Sequence, residues 1–281
     1  MDPKLRQQLT HYLDHLMDHA WLVGFVKEYG LSRILYASAT VLSEGKPDEI
    51  TGVLLFVRDL GQNINRWADD IIDDVRESLP EVVLPAIRPL LHSPSHFTRR
   101  DAIHTLGKLS YRKEAKSLRD AFPQFLERDP LGLADLMFEL RWLQDHRGVR
   151  ARARQMMRHN NYLIRWSTVG FAGNQIFSGR RDEVSEWKPV FETLANDRVS
   201  AVRDEAQFIL AHLRFAQATR REKNLPDAEW ERRMEVLQKD RPPLTFDDLR
   251  SRFYHDWGSL KRDDYSVEEL FAFATKLGVR P

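Results

Sequence analysis

Apolar residues return every three or four positions along most of the chain, and Gly, Pro and Asn interrupt them at short intervals. That spacing predicts amphipathic helices separated by tight turns. The one run that reads as a strand in isolation, "GVLLFV" (52–57), sits inside "ITGVLLFVRDLGQNINRWADDIIDDV", where the helical period continues through it. The pattern therefore predicts an all-α protein.

Four segments repeat one plan, a helix, a short polar turn and a second helix. They are "EVVLPAIRPLLHSPSHFTRRDAIHTLGKL" (81–109), "EAKSLRDAFPQFLERDPLGLADLMFELRWL" (114–143), "VRARARQMMRHNNYLIRWSTVGFAGNQIF" (149–177) and "VSEWKPVFETLANDRVSAVRDEAQFILAHL" (184–213). Aligned on His92, Arg128, Arg158 and Asn196, they are spaced by 36, 30 and 38 residues. Such periods mark arrays of helical hairpins, each burying its apolar face against its neighbours.

In the fourth segment a polar turn is followed by Val202-Arg203, then Ala206, then Leu210. Thr98-Arg99, Ala102 and Leu106 take these places in the first segment, and Ile164-Arg165 in the third, with Thr168 and Ala172 replacing the Ala and Leu. The second departs most, with Leu and Gly where Val-Arg is expected. The pattern resembles the HEAT-repeat superfamily over residues 81–215. The resemblance implies an α-solenoid of HEAT-like hairpins, with the arginine six residues beyond a turn residue in a structural role. Residues 1–80 are expected to add two or three helices, breaking near Gly30, Gly45-Lys46-Pro47 and Gly61. Residues 216–281 are expected to form a helical cap, with a helix near Asp227 and two more started by Thr245 and Ser266.

Candidate chemistry changes this picture little. "DDIID" (69–73) has the spacing with which isoprenoid synthases hold magnesium and a diphosphate, and "NDRVSAVRD" (196–204) approximates the second motif of those enzymes. On a helix, however, Ile64, Trp67, Ala68, Ile71, Ile72, Val75 and Leu79 form one stripe, and Asp69, Asp70, Asp73, Asp74 and Glu77 the opposite, solvated one. Asn196 and Asp197 fall where the clearest hairpin turns. His11, His15 and His19 recur every fourth residue; three on one helix do not converge on one ion, so they are expected to form a polar face beside Leu13, Leu16 and Met17. No P-loop, dinucleotide fingerprint, HExxH or nucleophile elbow is present. No cofactor, metal or small-molecule substrate is expected, and the chain is read as non-catalytic. Without cysteine there are no disulfides. The N-terminal residues lack an apolar signal core and no apolar run is long enough to span a membrane, so a cytoplasmic location is expected.

Charge gives the one pointer to a partner. The net charge of +1 divides into −5 over residues 1–98, +7 over 99–165 and −1 over 166–281. Within 141–166, seven arginines and two tryptophans accompany a single acid, Asp145. Arg150, Arg154 and Arg158 are spaced as a ridge along one helix. Arginine binds carboxylates and phosphates through two parallel bonds. Arg141, Trp142, Arg147, Arg150, Arg154, Arg158, Arg165 and Trp166 are therefore the expected contact residues for an acidic protein surface, with nucleic acid as the alternative. Trp142, Asp145, Arg165 and Trp166 also bear a loose likeness to the Trp, Asp and Arg of alkylpurine DNA glycosylases built on HEAT arrays, but the Trp-to-Asp spacing does not match.

Overall fold

The computed structural model describes residues 1–15, 18–62, 69–109, 111–177, 181–221, 226–258 and 262–280. These are helical, with no strand among the described residues. Contacts group the chain into two compact units, Met1–Glu127 with Asp135–Gly148, and Arg128–Ala134 with Val149–Pro281.

The first unit opens with α1 (Pro3–Thr10), α2 (His19–Tyr29), α3 (Leu31–Glu44), α4 (Pro47–Gln62) and α5 (Asp69–Val82). This is more than the two or three helices expected. Gly30, at φ 78°, ends α2 and lets α3 start at the next residue. The helix expected across His11, His15 and His19 does not form. Its chain stops at Thr10, makes a 3-10 turn over Tyr12–His15 and restarts at His19. The reason is Tyr12, which is buried and donates its hydroxyl to buried Asp59 on α4 at 2.9 Å. Leu13, expected on the apolar stripe, is exposed, and His15 stacks on Trp21. Leu16 and Met17 lie outside the described residues.

The first hairpin also departs from a simple pair. Its leading helix is broken into the end of α5, a four-residue α6 (Leu84–Ile87) and a 3-10 turn (Arg88–His92). Pro80 is carried within α5, but Pro85 and Pro89 follow at close intervals, each at the start of a new short helix, and their missing amide donors break the run. Its second helix, α7 (His96–Lys108), is regular and capped by Ser95, whose hydroxyl accepts from the Thr98 amide. The aspartates of "DDIID" begin α5, but the side chains of Asp69, Asp70, Asp73 and Asp74, with Ile64, Trp67 and Ala68, lie outside the described residues. Val75 and Leu79 are buried and Glu77 is exposed, as the stripe predicts.

The remaining hairpins follow the expected plan. They pair α8 (Ala115–Arg128) with α9 (Pro130–Trp142), α10 (His146–Met156) with α11 (Tyr162–Phe177), and α12 (Arg181–Leu194) with α13 (Ser200–Arg221). The turns fall at the four alignment residues. Leu106 and Leu210 are buried, so truncating either to alanine should cost at least about 2 kcal/mol by chemical denaturation. A neutral result at Leu210 would contradict the packing described here.

The second unit ends with α14 (Asp227–Lys239), α15 (Phe246–Gly258) and α16 (Val267–Lys276). Both expected starts are real. Thr245 and Asp248 exchange side-chain and backbone bonds at the head of α15, and Ser266 and Glu269 do the same for α16. Two buried polar contacts seat these helices within the unit. Glu205 on α13 accepts from the Phe246 amide at 2.8 Å and from the Trp166 indole at 2.5 Å. Asp129 accepts from the Tyr265 hydroxyl at 2.8 Å, and that hydroxyl accepts from the Leu131 amide at 3.1 Å. The second turn thus has a tyrosine-aspartate clamp where its siblings have an arginine.

Candidate functional site

Three arginines expected to be structural behave alike. Arg99 donates to the carbonyls of Ser93 and Pro94, each at 2.9 Å. Arg165 donates to those of His159 and Asn160, at 2.7 and 3.0 Å, and Arg203 to that of Asp197, at 3.2 Å. In each case a side chain from the second helix ties down its own turn five or six residues back. The geometry satisfies carbonyls that a tight interhelical turn leaves without partners.

Arg165 does more. Its guanidinium also grips both oxygens of Asp197, at 2.5 and 2.9 Å, so the third turn is bolted to the fourth. Its side chain is 9 % exposed and that of Asp197 5 %. Burial pushes the Asp197 carboxyl upward, but the Arg165 bond and the Val199 amide outweigh it, and the net shift is downward. Arg165 is therefore removed from the expected contact surface. So is Trp166, which is fully buried, bonded to Glu205 and packed edge-on against Phe246. The expectation that Trp166 offers contact area to a partner is wrong for a simple reason: on α11 nearly every position is buried, and the large apolar residue went to the core.

Asp145, the lone acid of the basic stretch, is held by Arg119 at 2.9 Å and accepts from the Gly148 amide at 3.2 Å. With Arg165, Trp166 and Asp145 each holding backbone or core, the glycosylase likeness has no open cluster behind it. Among the described residues there is no group of His, Asp and Glu able to hold a metal ion, and no helix long and apolar enough to cross a membrane.

What remains of the expected surface divides between the two units. In the second, α10 buries Val149, Ala153 and Met156 and exposes Arg150 and Arg154. Arg158 is exposed too, but it lies in the turn beyond Met156, so the ridge is two residues of helix plus one of turn. Arg150 faces Glu186 on α12 at 3.5 Å. That pairing relieves part of the repulsion between the arginines of the ridge. No carboxylate among the described residues pairs with Arg154 or Arg158. In the first unit, Arg147 is exposed, Arg141 bonds His146, and Trp142 is 54 % exposed with the Lys108 ammonium 4.7 Å from its ring centre.

Repeated hairpins whose second helices carry turn-binding arginines define a HEAT-like helical-repeat fold. Its solved likenesses are distant. The structure is similar to the archaeal HEAT-like repeats protein from Thermococcus onnurineus NA1, at 13 % identity and a TM-score of 0.45, over 84 % of this chain and 97 % of that one. It is similar to a designed armadillo repeat protein at 12 % identity and a TM-score of 0.39, over 74 % and 90 %. A second designed armadillo repeat protein, in complex with the peptide (KR)4, matches at 13 % and 0.36, over 74 % and 98 %. No protein-family model and no curated protein matches the chain.

Proposed function

We propose that this chain is a helical-repeat binding protein that takes an acidic segment of a protein partner on the exposed arginine face of α10. The observation that carries this reading is electrostatic. Arg150, Arg154 and Arg158 stand at four-residue spacing, and the one described acid beside them, Glu186, faces only Arg150. Like charges at that spacing within the helix, as at Arg150 and Arg154, cost a few tenths of a kcal/mol, and Arg158 adds a third cation just beyond the helix end; an acidic ligand removes that cost. The arginines that the fold itself needs, buried Arg99 and Arg165 and half-buried Arg203, are bonded to their own turns, so these exposed ones are not explained by that role. Nucleic acid is the alternative ligand for the same cations.

Fluorescence anisotropy with a labelled Glu/Asp-rich peptide and a single-stranded oligonucleotide of equal length tests the proposal. Arg154→Glu with Arg158→Glu is the informative variant, because it leaves the Arg150–Glu186 pair intact. The acidic peptide should lose at least about tenfold in affinity, near 1.4 kcal/mol, with the melting temperature nearly unchanged. Native affinity in that variant would rule out the α10 face. An oligonucleotide bound more tightly than the peptide, with a steep loss on adding salt, would favour the phosphate reading instead.

A further inference from the structure

The third and fourth turns, both in the second unit, are built alike. The amides of Met157, Arg158 and His159 donate to the carbonyls of Ala153, Gln155 and Met156. The amides of Ala195, Asn196 and Asp197 repeat this with Phe191, Thr193 and Leu194. One guanidinium joins the two turns: Arg165 holds the His159 and Asn160 carbonyls of the third and both carboxylate oxygens of Asp197 in the fourth. Arg158 is the residue before His159 and Arg198 the residue after Asp197, so two exposed cations flank that joint on opposite sides. The acids described around this edge are already engaged. Glu186 faces Arg150, Glu192 pairs with Lys188 at 3.3 Å, and Asp204 pairs with Arg203 at 3.2 Å. Arg198 is near enough to Asp197 to help hold its carboxyl low, but both of that group's oxygens are spent on Arg165. Among the described residues no carboxylate pairs with Arg158 or Arg198.

We infer that Arg198 is a further contact residue, and that the acidic partner segment lies extended across the two turns with one carboxylate on Arg158 and the next on Arg198. The commitment to that occupant comes from charge complementarity and spacing. Packed helices stand about 8–10 Å apart, so cations on neighbouring turns are separated by roughly 10 Å. An extended chain covers that in about three residues at ~3.3 Å each, whereas a helix, rising about 1.5 Å per residue, needs about seven. A docked helix also needs a groove for its apolar face. Here the turns present Asn160 and Asn196, both exposed and polar, which suits a chain without an apolar face. The joint at Arg165 keeps the two cations at a fixed spacing, so less order has to be imposed when the segment binds. This inference rests on the reading that the partner is acidic, and adds where the segment runs after Arg158 and how its acids are spaced.

Two labelled peptides of identical composition, both kept extended by proline, test the crossing on the full chain by fluorescence anisotropy. One has its acids three residues apart and the other has them in one contiguous block. The spaced peptide should bind at least about fivefold more tightly, and Arg198→Glu should weaken it at least about tenfold and remove that advantage. Arg214→Glu makes the same change in net charge on an exposed residue of α13, roughly 20 Å along the helix from Arg198, and should alter affinity less than about twofold. Circular dichroism and melting curves establish that each variant is folded. If Arg198→Glu weakens binding no more than Arg214→Glu while the Arg154/Arg158 reversal still does, the crossing is wrong and the proposed function stands. A contiguous peptide bound as tightly as the spaced one also overturns the crossing. If neither peptide binds the native chain, both readings fall. An oligonucleotide that binds more tightly than the spaced peptide and is lost in Arg198→Glu would mean that the edge takes phosphates, which overturns the inference.

Discussion

Replacing Asp197 with alanine is expected to destabilise the protein by about 3–5 kcal/mol, the typical cost of breaking a buried ion pair from one side. The substitution leaves the Arg165 guanidinium, whose side chain is 9 % exposed, with two of its bonds unmade and its charge uncompensated. It also strips the Val199 amide of its acceptor at the fourth turn. Arg165→Ala should cost a similar amount by the complementary route, exposing the His159 and Asn160 carbonyls to a cavity. Because the Asp197 carboxyl is held below its ordinary value, its contribution is present above the unfolded value and is lost as the pH falls through the folded one. The acid limb of a stability–pH curve should therefore flatten in Asp197→Asn. Urea titrations measure both effects. By contrast Arg154→Ala, on the exposed face, should stay within about 0.5 kcal/mol. Equal costs for Arg154 and Arg165 would mean that the distinction drawn between exposed and structural arginines is false.

That distinction could be read only in part from the sequence. The hairpin period and the four turns follow from local spacing, and the resemblance to HEAT repeats implied a structural role for Arg99, Arg165 and Arg203, a role the structure shows to be a side chain reaching back to its own turn. The starts at Thr245 and Ser266 follow from local spacing too. What spacing could not reveal are facts about neighbours distant in sequence. Trp166 sits in a basic stretch and looks like contact area until α13 and α15 cover it. Tyr12 pulls its segment out of helix because Asp59 lies 47 positions away. Glu186 relieves Arg150 from another hairpin. Pro85 and Pro89 were in plain view, and their spacing alone argued against a continuous leading helix. Exposed Phe138 was also legible in principle: with Trp142 it makes an aromatic pair one turn apart, although nothing local says which side of so apolar a helix stays open.

The largest pH effect should come from Glu205. Burial drives its carboxyl upward to about 8, against the Phe246 amide and the Trp166 indole, which both favour the charged form. Asp247 and Asp248 on α15 push it further up. The unfolded chain releases this proton near the ordinary glutamate value, so between there and about pH 8 the folded state binds more protons than the unfolded one. Stability must then fall as pH rises through that window, by an amount on the order of several kcal/mol if the shift is fully expressed. Glu205→Gln retains an acceptor for Trp166 and Phe246 but cannot ionise. Its urea midpoint should be nearly flat from pH 5 to about 9, crossing above the native protein on the alkaline side. Trp166→Ala should instead cost roughly 3–5 kcal/mol at every pH, since it opens a cavity beside the same carboxyl. A native protein that gains stability between pH 6 and about 8.5, the reverse of this slope, would show that Glu205 is ionised in the fold. The cap helices would then be seated by a charged acceptor rather than a neutral one.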